Sequence, residues 1–471
     1  MNKVVSTIRK AIELSGLKDG MVVSFHHHLR NGDHVVNMVL DEIAQMGIKN
    51  IKVAASAFFP IHGEVVKHIN NRVVTALDTN YISGPLATSV SLGILDEPVI
   101  FRTHGGRPRA ILEGSLKIDV AFIGAPSSDE MGNINGVKGP SACGSLGYAM
   151  ADARCAKKVI AITDYMTPYP NSPISIDETL VDWVVKVDSI GDPKGIVSGT
   201  TKITRDPIGH VIARNAAEVI EASGLLKDGI SFQTGAGGAS LATAYYLKEK
   251  MLSKGIKGSF GMGGITGFFV GMLEEGLIEK IIDVQCFDLN AIKSLALNPN
   301  HLEVSASHYA NPNAKSCAVN SLDVVILGAT QIDTEFNVNV LTDSNGNIMG
   351  GSGGHSDTAK GAKLSIVITN LLRSRLPIVV DKVVTKVTPG NTVDVIVTEK
   401  GIAVNSKRKD LLERIKELKL PVMDIEELKT MAEKIAGKPK TIDFTDKVVG
   451  LVEYRNGDII DKVYMPSNGV L

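Results

Sequence analysis

The sequence predicts an α/β protein built from two tandem, duplicated units with mostly parallel sheets, followed by a small C-terminal helical and hairpin extension. Three observations carry this. The stretch 13–56 (ELSGLKDGMVVSFHHHLRNGDHVVNMVLDEIAQMGIKNIKVAAS) is echoed at 221–264 (EASGLLKDGISFQTGAGGASLATAYYLKEKMLSKGIKGSFGMGG). A second pair, KIDVAFIGAPSSDEMGNIN at 117–135 and SLDVVILGATQIDTEFNVN at 321–339, follows in the same order and at nearly the same offset. Runs rich in Val, Ile and Ala, bounded by Gly, Ser or Asn, alternate with helical periodicity. That is the pattern of strands buried on both faces and joined by helical crossovers.

The first unit, 1–205, should hold strands at 21–25, 51–56, 73–78, 98–103, 119–125 and 158–164. The spacing predicts a helix over 33–47, with Asp33 as N-cap and Gly47 at C′. The boundary falls near 200–206, where GTTKITRDP breaks the pattern and a helix restarts over 205–223. The second unit, 206–471, repeats the scheme with strands at 229–234, 258–262, 281–288, 302–310, 321–329 and 363–370. Strands within 382–404 close its sheet. The extension 406–471, counted with this unit, reads as two charged amphipathic helices (406–420 and 424–437) and a hairpin (448–466), with Asn456-Gly457 as a type I′ turn signal.

Composition excludes several classes. Hydrophobic content of 44% and net charge of −1 over 471 residues leave no field to attract nucleic acid or an anionic membrane. Any anionic ligand must be met by a local cluster. Cys143, Cys155, Cys286 and Cys317 form no CxxC and no metal-type spacing, so free thiols in a reducing cytoplasm and no metal site are expected. The first sixteen residues have an amphipathic helical pattern rather than that of a signal peptide. The charge-free run 258–273 is glycine-rich and too short to span a bilayer.

Several loops could carry chemistry. In GGSGGHSDTAKGAK (350–363), four glycines in five positions bare the backbone, so several N–H groups can converge on one oxygen. The bland alternative is a tight turn with His355 in solvent and Asp357 as N-cap. QTGAGGASLATA (233–244) is strand, glycine turn, helix; its spacing is not GxGxxG, which argues against a dinucleotide and for an oxyanion turn. Its counterpart, SFHHHLRNGD (24–33), carries side chains instead of glycines. His26 or His28 must point opposite to His27, and Arg30 suits a carboxylate. FRTHGGRPRA (101–110) is a dense basic loop, either an anion site or a solvated surface. Asp129 and Glu130, with their twins Asp333 and Glu335, are candidate carboxylates or ordinary turn formers.

Taken together, DVAFIGAPSSDEMGNING, RTHGGRPRAI, FQTGAGGAS and GGSGGHSDTA closely resemble the citrate lyase alpha-subunit family over essentially the whole chain. More distantly they are similar to acetyl-CoA hydrolases and 4-hydroxybutyrate CoA-transferases. The resemblance implies two CoA-transferase-like domains. It also implies a reaction: an acetyl thioester of a carrier plus citrate gives citryl thioester plus acetate. A beta subunit would then cleave the citryl group. The phosphopantetheine thiol would come from an acyl-carrier gamma subunit or free CoA, with no cofactor held by this chain and a homo-oligomer inside a hetero-complex. In the distant relatives a glutamate becomes acylated; here alignment puts Met262 at that place, which favours direct transfer through a mixed anhydride. On this basis the amides of Gly237, Gly238, Gly353 and Gly354 are expected to hold the oxyanion. His27, Arg30, Arg102, His104, Arg107, His355 and Ser356 are expected to bind citrate, and Gly105, Gly106, Gly235 and Gly351 the thioester. The alternative is a covalent hydrolase or CoA-transferase using Glu130, Glu274, Glu275 or Glu335. Citrate and citramalate are not distinguished.

Overall fold

The computed structural model describes residues 2–197, 202–235 and 237–467. Each unit forms its own sheet. In the first, Val22–Phe25 lies between Ile51–Ala55 and Val120–Ala125, all parallel. In the second, Ser231–Thr234 lies between Gly258–Ile265 and Val324–Leu327, again parallel. Val23, Val53, Phe232 and Val324 are fully buried, as strands covered on both faces must be.

The duplication extends to hydrogen bonds. Asp19 accepts the Lys49 N–H at 2.8 Å, and Asp228 accepts the Lys257 N–H at 2.9 Å. Asp119 accepts the Val22 N–H at 2.8 Å, and Asp323 accepts the Ser231 N–H at 2.9 Å. The recurring KDG and DV signals are therefore pins that fix where each central strand starts. They satisfy amides that the parallel ladder leaves over.

Four expectations need correction. The segment 302–310 is a strand only at His301–Glu303; helix Ala306–Ala310 follows, capped by the Ser305 hydroxyl, which accepts the His308 N–H at 3.0 Å. Within 382–404 only Val395–Val397 and Ile402–Val404 are strands, an antiparallel pair closing the second sheet. The extension is divided. Helices Lys409–Glu417 and Ile425–Ala436 bury Leu411, Ile415 and Leu428 in the cores of the second unit. The hairpin Phe444–Glu453 and Ile459–Pro466 instead joins the first sheet, with Gly450, Leu451 and Val452 parallel to Val99, Ile100 and Phe101. Its turn has positive φ at Gly457 (103°) and not at Asn456, so it is not type I′. The unit boundary falls partly on 198–201, outside the described residues. Among the described residues, no helix is long and apolar enough to cross a membrane, and no cluster of metal-ligating side chains occurs.

Candidate functional site

The carboxyl ends of the central strands point into a seam between the units. Val22–Phe25 runs into His26–His28, Ile51–Ala55 into Ser56, Val74–Thr79 into Asn80 and Val99–Phe101 into Arg102. From the other side come Gly235, Gly328 and Phe287, each just past a strand end. This is where α/β sheets place ligands. The two sides are bonded to each other: Gln285 donates from Nε2 to the His27 carbonyl (2.8 Å), and the His104 N–H donates to the Gly353 carbonyl (2.8 Å).

Arg30 is the most telling residue. Its guanidinium carbon lies 4.5 Å from the Phe287 ring centre and 5.4 Å from that of Phe59, so it is held between one ring from each unit. It has φ of 52° and a buried Nη1 without a partner, and among the described residues no carboxylate pairs with it. Burial pulls its pKa down from the ordinary arginine value, only partly opposed by Tyr81 and Tyr148. An uncompensated cation costs several kcal/mol to desolvate. A site that holds one is built to receive an anion.

Beside it stand two neutral imidazoles. His27 Nδ1 is 2.6 Å from the Ser56 hydroxyl, and its ring packs on Tyr148 at 4.6 Å and His104 at 5.9 Å. Burial pushes the His27 pKa well below the usual value; burial and the Arg107 charge bring His104 to about 3. Neither adds positive charge near neutrality, and both remain hydrogen-bonding groups. His26 and His28 stack on each other at 5.6 Å, with His26 Nε2 paired to Asp152. The division of the three histidines between two faces is as expected.

The glycine loops are linked through Tyr309. Its hydroxyl takes a hydrogen bond from Gln233 Nε2 (3.0 Å) and lies 2.7 Å from where a Cβ on Gly354 would stand. A side chain at 354 would therefore displace Tyr309. The Gly235 N–H donates to the Ile326 carbonyl at 2.8 Å, whereas Gly237 and Gly238 turn toward Ser240 and Thr204. The N–H groups of Gly237, Gly238 and Gly354 have no acceptor among the described residues, whereas that of Gly353, also expected to hold the oxyanion, is given to the Asn80 carbonyl at 3.3 Å.

Several expected ligand residues serve the protein instead. Arg102 donates to Asp78 (2.8 and 3.0 Å) and to Glu453, and Arg107 donates to Asp152 (3.0 and 2.9 Å) and the Ala54 carbonyl. Both guanidinium groups are thus neutralised internally. His355 bridges the Thr388 hydroxyl (2.7 Å) and the Gly328 carbonyl (2.9 Å), and burial lowers its pKa to about 4. Ser356 donates to the Val387 carbonyl at 2.7 Å. The Gly105 N–H is given to Asp357 and that of Gly106 to Thr103 Oγ1. A Cβ at Gly105 would meet the Ala310 carbonyl oxygen at 2.1 Å, and one at Gly351 the Asn80 carbonyl oxygen at 2.0 Å. Close backbone packing, rather than an exposed amide, demands glycine there.

The loop carboxylates are turn formers. Asp129 gathers the N–H groups of Gly132 and Asn133, and Asp333 those of Glu335 and Asn337. Glu274 and Glu335 are exposed, Glu275 pairs with Lys248, and Glu130 uses its carbonyl to receive the Lys3 N–H. Met262 is fully buried. Sequence reasoning missed Phe59, Tyr148, Gln233, Gln285, Phe287 and Tyr309, and read Asp357 only as a possible N-cap. Only Gln233 and Asp357, inside the glycine loops already singled out, carried a signal.

Comparison with known proteins agrees with the earlier resemblance. Residues 1–465 match the family model for citrate lyase, alpha subunit. A citrate lyase alpha chain from Haemophilus influenzae is 52% identical over 462 residues, 98% of this chain and 92% of that one. A solved structure from Streptococcus mutans, described as an alpha subunit of citrate lyase in complex with citrate, has a TM-score of 0.97 at 52% identity, covering 99% of this chain and 92% of that one. A 4-hydroxybutyrate CoA-transferase from Porphyromonas gingivalis, 18% identical with a TM-score of 0.57 over 92% of this chain and 96% of that one, shares the fold alone. The fold is CoA-transferase-like, and the chain belongs to the citrate lyase alpha-subunit family.

Proposed function

We propose that the seam holds citrate beside an acetyl thioester and exchanges one acid for the other on the thiol. The single observation carrying this reading is Arg30, an unpaired guanidinium held between Phe59 and Phe287 where the two units meet. A citrate carboxylate is its natural counter-ion.

A citrate carboxylate oxygen attacks the acetyl carbonyl carbon, forming a C–O bond through a tetrahedral oxyanion. The C–S bond then breaks and the thiolate leaves, giving a citryl–acetyl anhydride. The same thiolate attacks the citryl carbonyl, acetate departs, and citryl thioester remains. No oxidant, reductant or net proton is required. Holding the reactants together can supply about 7–11 kcal/mol of the barrier. The free N–H groups of Gly237, Gly238 and Gly354 are the donors for the oxyanion, one such donor being worth about 3–4 kcal/mol. His27 and His104, kept neutral by burial, orient the citrate hydroxyl and carboxylates without adding charge.

Direct transfer is supported by Met262, fully buried at the position aligned with the relatives' acylated glutamate. The thiol is that of a phosphopantetheine on an acyl-carrier gamma subunit or of free CoA, with a beta subunit consuming the citryl product. The chain then works as a homo-oligomer within that hetero-complex, in the cytoplasm, a setting that suits its four free cysteines.

The test is exchange of labelled citrate into citryl thioester, run beside citramalate and with carrier protein present or absent. Borohydride reduction after incubation with acetyl thioester, read by mass spectrometry, should leave every glutamate unmodified. A reduced glutamate would overturn direct transfer; absence of citryl thioester would overturn the function.

A further inference from the structure

We propose that Arg455 and Asp357 are a positioning pair that presses the 102–106 loop against the second unit and so presents His104 to the seam. This rests on the seam being the site of transfer. Among the described residues the His104 ring has no hydrogen bond of its own, and its buried Nδ1 has no partner. Its place is set entirely by its backbone and its neighbours.

Those neighbours converge on one carboxylate. Asp357, fully buried, accepts the Gly105 N–H at 2.8 Å and the Thr103 hydroxyl at 3.0 Å. Arg455 brings Nε to 3.5 Å from Asp357 and donates from Nη2 to the Ala310 carbonyl at 3.2 Å. Its Cα would lie 3.7 Å from a Cβ on Gly106, so the hairpin backbone lies over the loop. From the same hairpin, Glu453 holds Arg102 and Arg109. The first unit's loop, the second unit's helix and the C-terminal hairpin therefore meet at Asp357, and the hairpin crosses from one unit's tail to the other unit's sheet to do so.

The pair also predicts a pH response. Asp357 faces Arg455 and Tyr454 from the hairpin, the Thr103 and Gly105 donors from the loop, and Tyr309 and Tyr148 from the neighbouring helices. Burial raises its pKa to about 6, and the Arg455 charge opposes the rise. Only the carboxylate offers both oxygens as acceptors. Removing Arg455 pushes the pKa further up, so the loop loosens at a higher pH.

Arg455→Ala, Arg455→Lys and Asp357→Asn, made in the full-length chain, test this. Arg455→Ala should lower kcat by about tenfold or more while leaving KM for citrate nearly unchanged, because Arg30 is untouched. The acid limb of kcat should move to higher pH, and Arg455→Lys should restore both. Amide exchange of 102–106, measured without turnover, should quicken in Arg455→Ala and Asp357→Asn and recover in Arg455→Lys. A stationary acid limb, a KM rise matching the kcat loss, or unchanged exchange would overturn the pair. Should the unaltered protein transfer no acyl group, the functional reading fails, and exchange alone still decides the clamp.

Discussion

The two units place very different loops after equivalent strands. Val22–Phe25 ends in three histidines and Arg30, whereas Ser231–Thr234 ends in Gly235, Gly237 and Gly238. Both strands are pinned by twin aspartates and flanked by the same neighbours. Duplication thus kept the scaffold and divided the chemistry. In the reaction proposed above, one copy contributes side chains that meet a charged substrate and the other contributes bare amides that meet a charge forming during reaction.

Predictions can break or sharpen this division. The largest effect should come from the amide side: Gly354→Val displaces Tyr309 and should cut transfer by about 100-fold or more, in the range of one lost oxyanion donor. Full activity would remove that loop from the reaction. From the side-chain copy, Arg30→Gln should raise KM for citrate by about 10- to 150-fold, since charge-assisted hydrogen bonds are worth about 1.5–3 kcal/mol. Equal loss of kcat with unchanged KM would mean that Arg30 does not bind the ground-state acid.

Acid should destabilise the fold through the neutral histidines. His27, His28, His104 and His355 all have native pKa values below the usual 6.5, with His104 at about 3 and His355 at about 4. The unfolded chain binds their protons first, so the stability they confer is full above pH 6.5 and is lost as pH falls toward those values. His68 adds to the same side, while Asp357, raised to about 6, and Glu303 and Glu453, also pushed up by burial, act in the opposite sense. The thermal midpoint should fall between pH 6.5 and 4, and less steeply in His355→Gln. The smallest effect tests the scaffold itself. Asp19→Ala and Asp228→Ala should each destabilise by about 1 kcal/mol, equally, as lost single hydrogen bonds do.

Much of this architecture was legible in the residues. The echo of KDG and DV marked the duplication because those aspartates bond to backbone at fixed sequence distance. The glycine loops marked the strand ends. What stayed hidden depends on long-range pairing. Arg102 and Arg107 look like free anion ligands until Asp78, Glu453 and Asp152 come beside them. Arg30 looks no different from them in sequence, yet the fold leaves it alone. Tyr148 and Tyr309 carry no local pattern, since their value lies in standing between loops from different units. The hairpin went to the wrong unit because alternation along a strand says nothing about which edge it will join.

That hairpin has a consequence for how the molecule is made. Val99–Phe101 leaves the ribosome long before its outer partner Phe444–Glu453. Throughout the intervening synthesis the first sheet carries an open, adhesive border. The nascent chain must guard that border until the hairpin emerges, and loss of the hairpin would expose it in the finished protein as well.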